Sequence, residues 1–333
     1  ISASHNPYQD NGIKIFGPDG FKLTDEEELE IETLIDNSNE IVNAGYDRIG
    51  KLYSGSELSQ KYIHHIKQSI SGDLSNLNIA LDCANGATTG VAPFLFGDLE
   101  ADIETIGCTP NGININENVG STKINTLANF VKENNVDVGF AFDGDGDRVL
   151  AVDANGNVVD GDKIMFILAK HLKEKGELND NMVVSTVMSN IGFYKAIEEN
   201  GLQSVKTAVG DRYVVEEMRS NNYSLGGEQS GHIILMNYAT TGDGILTAVK
   251  LADILKTSGK TLEELANEVN IYPQKLVNIK VLDKKLAMED QDVLEECAKV
   301  EKELEGNGRI LLRASGTENL IRVMVEASSD ELT

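Results

Sequence analysis

Short apolar runs, separated by turn residues, alternate with helical repeats along the middle of the chain. The first block of this pattern predicts strands at 78–82, 103–106, 136–142 and 149–152, with a helix at 126–134. A second block has the same alternation, with strands at 182–186 and 204–208 and helices at 162–175, 191–200, 213–221, 242–256 and 262–269. Buried strands that alternate with helices are typical of α/β layers, in which helices cover the faces of a sheet.

The two ends of the chain follow other patterns. Near the beginning, Thr24 and Glu27 form a capping box that predicts a helix through Asp36, and a short strand is predicted at 13–16. A polar connection at 37–55 separates these elements from the rest. The remaining predicted elements are a helix at 56–71, strands at 276–281, 309–313 and 321–326, and a charged helix at 289–305.

The segment Asp143-Gly144-Asp145-Gly146-Asp147-Arg148 lies between two predicted strands, at the edge where α/β sheets usually bind ligands. In an extended backbone every second side chain points the same way, so the three carboxylates can converge while the glycines add no bulk. Converging carboxylates need a cation, and oxygen ligands without His or Cys favour Mg²⁺, Mn²⁺ or Ca²⁺ over zinc. Arg148 beside them indicates that an anion such as phosphate also visits this site.

Two simpler interpretations compete with this metal site. A helix-loop-helix calcium loop requires Gly at its sixth position and Glu at its twelfth, where this chain has Arg148 and Ala154, so that motif does not fit. A solvated acidic turn is the other alternative, although a buried strand on each side argues against a free surface loop.

Composition narrows the class of protein. The formal net charge of -25 argues against nucleic-acid binding, which needs clustered Lys and Arg, and no apolar run approaches the roughly 18 residues of a membrane span. Cys83, Cys108 and Cys297 match neither a metal pattern nor a disulfide framework, so a reducing cytoplasm is the expected location.

The length of 333 residues predicts two or three domains, and since no Met starts the chain, we expect its beginning to be missing.

Two short loops offer further candidate residues. Ser4-His5-Asn6-Pro7 places a hydroxyl beside an imidazole, as in a nucleophile or a phosphate carrier. Gly210-Asp211-Arg212 lies between a predicted strand and a helix, where backbone N–H groups and a cation can meet an anion. Taken alone, each loop is also compatible with an ordinary turn.

Two glycine-containing loops offer polar side chains to a ligand. In 226–232, Glu228, Ser230 and His232 alternate onto one side and suit sugar hydroxyls, although a turn into a buried strand is the simpler alternative. In the second loop, at 313–319, hydrogen-bond donors can bind a phosphate group although no Walker motif is present. They are Arg313, Ser315, Gly316 and Thr317, with Arg322 on the next strand.

Together, Ser4-His5-Asn6-Pro7, the Asp-Gly-Asp-Gly-Asp-Arg loop, Gly-Glu-Gln-Ser-Gly-His and Arg-Ala-Ser-Gly-Thr-Glu occur in the order and rough spacing of the α-D-phosphohexomutases, which the chain resembles over essentially its whole length. The chain is most similar to bacterial members that act on glucosamine phosphates. The residues that indicate this are Gln229 and the segments 209–213 and 1–5. Ala314 and Asn319 stand where the family usually has Pro, so we expect a looser loop there.

The resemblance implies three related mixed-sheet α/β domains, the first truncated, and a smaller α+β C-terminal domain. The implied ranges are 1–55 for the remnant of the first domain with a phosphoserine loop, 56–155 with the metal-binding loop, 156–272 with the sugar-binding loop, and 273–333 with the phosphate-binding loop, cut at its C-terminus. Most of the first domain, including a family Arg near the active site, is expected before Ile1, and whether this segment is active alone stays open.

The resemblance also implies a role for each candidate residue. Ser4 would be the phosphoserine, and one Mg²⁺ would be held by a seryl phosphate oxygen with Asp143, Asp145 and Asp147. The charge-stabilising or proton-transferring positions are His5, Lys14, Arg148 and His232. The substrate-binding positions are Glu228 and Ser230 for sugar hydroxyls, Arg313, Ser315, Gly316 and Thr317 for the non-reacting phosphate, and Asp211, Arg212 and Arg322 beside them.

The implied reaction interconverts glucosamine 6-phosphate and glucosamine 1-phosphate through a sugar 1,6-bisphosphate, on the route to UDP-N-acetylglucosamine. Ser4 would first be phosphorylated by a kinase or by autophosphorylation, and the oligomeric state stays open. A phosphoglucomutase or phosphomannomutase would use the same catalytic residues. A metal-dependent sugar phosphatase and a non-catalytic sugar-phosphate binding protein are the remaining alternatives.

Overall fold

The computed structural model describes residues 1–37, 43–304, 306–315 and 319–333. Its helices are α1 (Asp25–Asp36), α2 (Ser56–Lys67), α3 (Ala92–Asp98), α4 (Asn125–Glu133), α5 (Gly161–Lys175), α6 (Ile191–Glu199), α7 (Asp211–Asn221), α8 (Gly244–Ser258), α9 (Leu262–Ala266), α10 (Lys284–Glu289) and α11 (Gln291–Leu304). Its strands are β1 (Asn78–Asp82), β2 (Asp102–Ile106), β3 (Val138–Phe142), β4 (Val149–Asp153), β5 (Val158–Val159), β6 (Met182–Thr186), β7 (Gln203–Thr207), β8 (Leu225–Gly227), β9 (Ile233–Leu235), β10 (Gln274–Lys280), β11 (Gly308–Ala314) and β12 (Leu320–Ala327).

Two of the sheets share one topology. The first has the strand order β2-β1-β3-β4-β5 and the second the order β7-β6-β8-β9. In each sheet the first three neighbours are parallel and the next strand is antiparallel. The expectation of related mixed-sheet α/β units is therefore confirmed.

One buried core joins these two units. Every residue of β3 is buried, as expected for a central strand with both faces covered. Helix α8 is buried along most of its length and contacts both β4 of the first sheet and α5 of the second unit. Because buried apolar side chains of both units belong to one cluster, the two sheets are held in a defined relative position.

The loop after β3 and the loop after β8 occupy equivalent positions in the two sheets, since each connects a parallel strand to its antiparallel neighbour. They also touch, because the Val149 N–H donates to the Gly231 carbonyl at 3.1 Å. The shared topology thus places the acidic loop and the predicted sugar-binding loop side by side.

The C-terminal unit is a smaller α+β domain, as predicted. Its sheet has the antiparallel order β10-β12-β11. A buried network attaches it to the preceding unit: Glu326 accepts from Arg309 Nε at 2.7 Å and from the Ile191 N–H at 3.1 Å. The helix predicted at 289–305 is confirmed as α11, which begins after the extended Asp290, whose carboxylate caps the N–H groups of Asp292 and Val293. The short helix α10 before it was not predicted.

The predictions for the first residues are partly right. Helix α1 has the predicted capping box. The strand predicted at 13–16 is wrong, because of these four residues only Phe16 pairs, in an isolated bridge with Lys22. Helix α2 ends at Lys67 rather than at 71, since the chain turns and buries Ile70.

In the ranges that the structure describes, we find no helix with both the length and the apolar character that a bilayer crossing requires.

Candidate active site

Asp143, Asp145 and Asp147 lie together in the loop between β3 and β4. One carboxylate oxygen of each lies within 4.8 Å of the other two, and Asp143 is fully buried. Within the described part of the chain, Asp143 Oδ2, Asp145 Oδ1 and Asp147 Oδ1 have no hydrogen-bond partner. Buried carboxylate oxygens without partners are unfavourable, so these atoms fit a bound divalent cation and not a solvated turn.

The carboxylates of this loop differ in their affinity for protons. Burial, with the charges of Asp147 and Asp145, raises the pKa of Asp143 to about 7. Burial acts in the same direction on the pKa of Asp147, but His232 and Lys14 outweigh it and hold that pKa below its usual range. The loop therefore contains one carboxyl group that titrates near neutral pH.

We expect divalent-cation affinity to rise between about pH 6 and about pH 8, because Asp143 must lose its proton to act as a ligand. Below the raised pKa of Asp143, the proton competes with the cation, and affinity should fall about tenfold per pH unit. Calorimetric titration of Mn²⁺ at several pH values measures this dependence. An affinity that stays constant over this range would contradict the combination of a raised pKa and a ligand role for Asp143.

Two cations border the acidic loop. Lys14 Nζ lies 2.6 Å from Asp145 Oδ2 and 3.0 Å from Asp147 Oδ2. Arg148 Nε lies 4.0 Å from Asp143 Oδ2 and 3.9 Å from Asp147 Oδ1, and its Nη1 lies 3.3 Å from His5 Nδ1. These groups can stabilise negative charge on a phosphoryl group beside the acidic loop.

The loop that contains Ser4 is bound directly to the acidic loop. The Ser4 carbonyl accepts from the Gly144 N–H at 3.0 Å, and a side-chain carbon added at Gly144 would lie 2.5 Å from that carbonyl oxygen. Only glycine allows this approach. Ser4 Oγ lies 3.1 Å from His5 Nδ1, and burial together with Arg148 lowers the pKa of His5. The structure thus brings Ser4, His5, Lys14 and Arg148 to the three aspartates.

His232 is more deeply buried than Glu228, Gln229 and Ser230 of the same loop. It is buried, with Nδ1 3.7 Å from Asp147 Oδ2 and Nε2 3.7 Å from Asp211 Oδ2. The Gly242 N–H donates to Nε2 at 3.2 Å, and a side-chain carbon at Gly242 would lie 2.4 to 2.6 Å from three ring atoms. His232 therefore connects the acidic loop to the turn that contains Asp211.

Glu228 and Ser230 lie near each other, and the Glu228 N–H donates to the His232 carbonyl at 3.0 Å. Ser230 Oγ lies 3.5 Å from Glu228 Oε2, and Glu228 Oε1 accepts from the Gly210 N–H at 3.3 Å. Arg212 turns away from this loop and forms ion pairs with Asp25 and with Glu216. Its expected contact with a substrate stays a prediction, since these pairs must open first.

The C-terminal candidates form a separate cluster on another sheet. Arg313 and Arg322 are paired across β11 and β12, and burial together with Arg322 lowers the pKa of Arg313. Ser315 follows β11, and its carbonyl accepts from Lys284 Nζ at 2.8 Å. Two guanidinium groups at one position fit an anion. Gly316 and Thr317 lie outside the described residues.

Three contacts of this region were not predicted. Ser2 Oγ donates to Asp145 Oδ2 at 2.5 Å, and period-two spacing from Ser4 is the sequence signal that could have indicated it. Lys22 forms an ion pair with Asp211, and the Asn116 side chain donates to the Ser4 carbonyl at 2.9 Å. Neither Lys22 nor Asn116 belongs to a recognisable motif, so only the structure shows them.

Comparisons with known proteins give a consistent result. Models of the phosphoglucomutase/phosphomannomutase family match the chain as alpha/beta/alpha domain I at residues 1–41, domain II at 60–156, domain III at 160–272 and the C-terminal domain at 276–333.

Individual relatives agree with this result. The phosphoglucosamine mutase of Geobacillus thermodenitrificans (strain NG80-2) is 60% identical over 332 residues, which are 99% of this chain and 74% of that protein. The phosphoglucosamine mutase of Bacillus cereus (strain AH187) is 60% identical over 333 residues, which are 100% of this chain and 74% of that protein. The crystal structure of Aspergillus fumigatus N-acetylphosphoglucosamine mutase in complex with GlcNAc-6P and magnesium has a TM-score of 0.77 at 20% identity, covering 99% of this chain and 85% of that one.

Proposed function

The chain belongs to the phosphoglucomutase/phosphomannomutase family, and we propose that within it the protein is a phosphoglucosamine mutase, which interconverts glucosamine 6-phosphate and glucosamine 1-phosphate. The enzyme is thus an isomerase that works by phosphoryl transfer. A cytoplasmic location, and a place on the route to UDP-N-acetylglucosamine, belong to the same proposal.

The observation that supports this proposal most directly is the position of the Ser4 loop. The segment that carries the Ser4 hydroxyl, near the beginning of the chain, is bound to the acidic loop far along it. The Gly144 N–H donates to the Ser4 carbonyl at 3.0 Å. A serine beside a cation site can carry a phosphoryl group between two positions of a sugar. A binding protein without catalysis has no need for this arrangement.

We assign the phosphoserine to Ser4 and a single Mg²⁺ to Asp143, Asp145 and Asp147, whose carboxylate oxygens lie close together. When bound, Mg²⁺ supplies charge stabilisation for the transferring phosphoryl group. Lys14 and Arg148 flank the aspartates and add positive charge on the side of Ser4 and His5. Negative charge that develops during transfer is then offset by side chains already in place.

The reaction proceeds in two transfers. In the first, the bond between Ser4 Oγ and phosphorus breaks while the free sugar hydroxyl bonds to phosphorus and gives up its proton, which leaves a sugar 1,6-bisphosphate. The sugar then turns over, and its other phosphate returns to Ser4 Oγ. Imidazole is available for the proton transfers, at His5, 3.1 Å from Ser4 Oγ, and at His232 beside Asp147.

Substrate binding is divided between two loops in this proposal. Glu228 and Ser230 bind sugar hydroxyls, with Asp211 and Arg212 at the neighbouring turn. The non-reacting phosphate is held by a second set, Arg313, Ser315, Gly316, Thr317 and Arg322. Separate binding of hydroxyls and phosphate lets the enzyme accept the sugar in two orientations, as the two transfers require.

The test compares glucosamine, glucose and mannose 6-phosphates as substrates of the full-length protein that carries this chain. A phosphoglucosamine mutase should isomerise glucosamine 6-phosphate with the highest kcat/KM, in the presence of Mg²⁺ and a sugar 1,6-bisphosphate. Faster turnover of glucose or mannose 6-phosphate would favour the related mutases. Release of free phosphate in step with substrate loss, with no need for a bisphosphate, would identify a phosphatase instead.

A further inference from the structure

Asn116 connects the second domain to the Ser4 loop. It lies between β2 and α4 and is buried, with 8% of its surface exposed. Its side-chain Nδ2 donates to the Ser4 carbonyl at 2.9 Å and to the Asn6 carbonyl at 2.7 Å. The two N–H bonds of one amide thus hold two carbonyls on either side of His5.

Asn116 is itself fixed to the sheet that ends at the acidic loop. Its backbone N–H donates to the Ala84 carbonyl at 2.8 Å. The buried Asp82, at the end of β1, accepts from the Ala84 N–H at 3.0 Å and from the Gly120 N–H at 2.7 Å. These bonds close the segment that contains Asn116 against β1, so the amide projects from a rigid support.

Ser4 needs such support because its backbone is in the left-handed region, with φ 50°. This conformation is unfavourable for a residue with a side chain and persists where surrounding contacts determine it. Here the Ser4 carbonyl accepts from two directions, from the Gly144 N–H at 3.0 Å and from Asn116 Nδ2. Fixing this carbonyl fixes the peptide plane and hence the position of the Ser4 backbone from which the hydroxyl projects.

We propose that Asn116 is a positioning residue for phosphoryl transfer: its amide clamps the Ser4 and Asn6 carbonyls and holds the phosphate carrier over the acidic loop. The inference rests on the proposed function, because Ser4 must be the carrier. It assigns Asn116 no contact with substrate. Loss of the clamp should therefore slow transfer and leave binding of the sugar phosphate nearly unchanged.

Asn118 provides a matched control. Both asparagines lie in the same segment, and both have φ 58°. Asn118 is exposed, however, while Asn116 is buried against the Ser4 loop. Glycine adopts this positive φ without strain, so Asn116→Gly and Asn118→Gly remove the same side chain at the same φ. Asn116→Asp and Asn118→Asp form a second pair that adds one negative charge each and keeps the side-chain shape.

The experiment uses the full-length protein with Mg²⁺ and glucosamine 6-phosphate, and measures kcat, KM, phosphate release and the melting temperature. In Asn116→Gly, kcat should fall about 100-fold with KM within about threefold, because a carrier misplaced by an ångström loses about this much rate. The ratio of released phosphate to isomerised sugar should rise, and the ³¹P resonance of the phosphoserine should shift. Asn118→Gly should match the wild type in all of these.

Asn116→Asp should be slowed at least as much, because a carboxylate cannot donate to the two carbonyls, whereas Asn118→Asp should again match the wild type. This variant also serves if Asn116→Gly does not fold. Equal kcat in the Asn116 and Asn118 variants, or a rise in KM that accounts for the whole loss, would overturn the positioning role. A wild-type protein that isomerises none of the sugar phosphates would instead overturn the proposed function, and the clamp with it.

Discussion

Replacing Ser4 by alanine should lower the rate of isomerisation by more than about 10⁴-fold, because the covalent carrier of the phosphoryl group is removed. Compared with the unphosphorylated wild type, binding of Mn²⁺ and of glucosamine 6-phosphate should change little, since the aspartates and the sugar-binding loop are untouched. The measurements are turnover with a sugar 1,6-bisphosphate present, and transfer of labelled phosphate to the protein, located by mass spectrometry of its peptides.

Two other variants make this result specific. Ser4→Gly also lacks the hydroxyl but adopts φ 50° without strain, so it separates loss of the carrier from loss of the loop conformation. Ser2 is the rival carrier because its Oγ lies 2.5 Å from Asp145. Ser2→Ala should be slower than the wild type but active and labelled at Ser4. Label on Ser2, or full turnover in Ser4→Gly, would contradict the assignment.

Asp145→Ala should lower Mg²⁺ affinity by more than about 100-fold, since loss of a residue that only supports a metal ligand already costs about 10- to 100-fold. Asp145 also accepts from Lys14 at 2.6 Å and from Ser2 at 2.5 Å, so its loss releases both groups from the cation site. We expect kcat at saturating Mg²⁺ to fall about 10²- to 10³-fold. Calorimetry with Mg²⁺ and steady-state kinetics over a range of Mg²⁺ concentrations measure the two effects.

Asp102→Ala is the control for this variant, because it removes an exposed carboxylate of the same domain with the same change in net charge. It should bind Mg²⁺ as the wild type does. If both variants bind Mg²⁺ equally well, the acidic loop is not the metal site and the buried carboxylate oxygens need another explanation.

Local patterns were sufficient to predict most of the elements. A short, continuous apolar run identifies a buried strand such as β3 from its own residues, and the capping box at Thr24 and Glu27 depends on groups three residues apart. The predicted strand at 13–16 failed for the opposite reason, since a strand requires a partner and none of these residues but Phe16 has a bridge. The cap at Asp290, with which α11 begins, is a local signal like the capping box and agrees with the helix predicted at 289–305.

The candidate site was predicted unevenly. The acidic loop is a contiguous motif, and its aspartates converge as its spacing indicated. In the loop 226–232, His232 is buried while Ser230 is exposed, a difference in burial that period-two spacing does not indicate. Arg212 is likewise taken up by ion pairs with Asp25 and Glu216, which no local pattern could show.

The amino-acid sequence by itself determined the α/β class, the acidic loop and the family, since strand periodicity and contiguous motifs depend on neighbouring residues. Only the tertiary structure decided which distant groups are in contact. The Ser4 carbonyl accepts from the Gly144 N–H and from the Asn116 side chain, and His232 lies between the carboxylates of Asp147 and Asp211. The physical reason is that hydrogen bonds and ion pairs act over a few ångströms in space. Residues as far apart in the sequence as Ser4 and Gly144 become neighbours only after the sheets have packed.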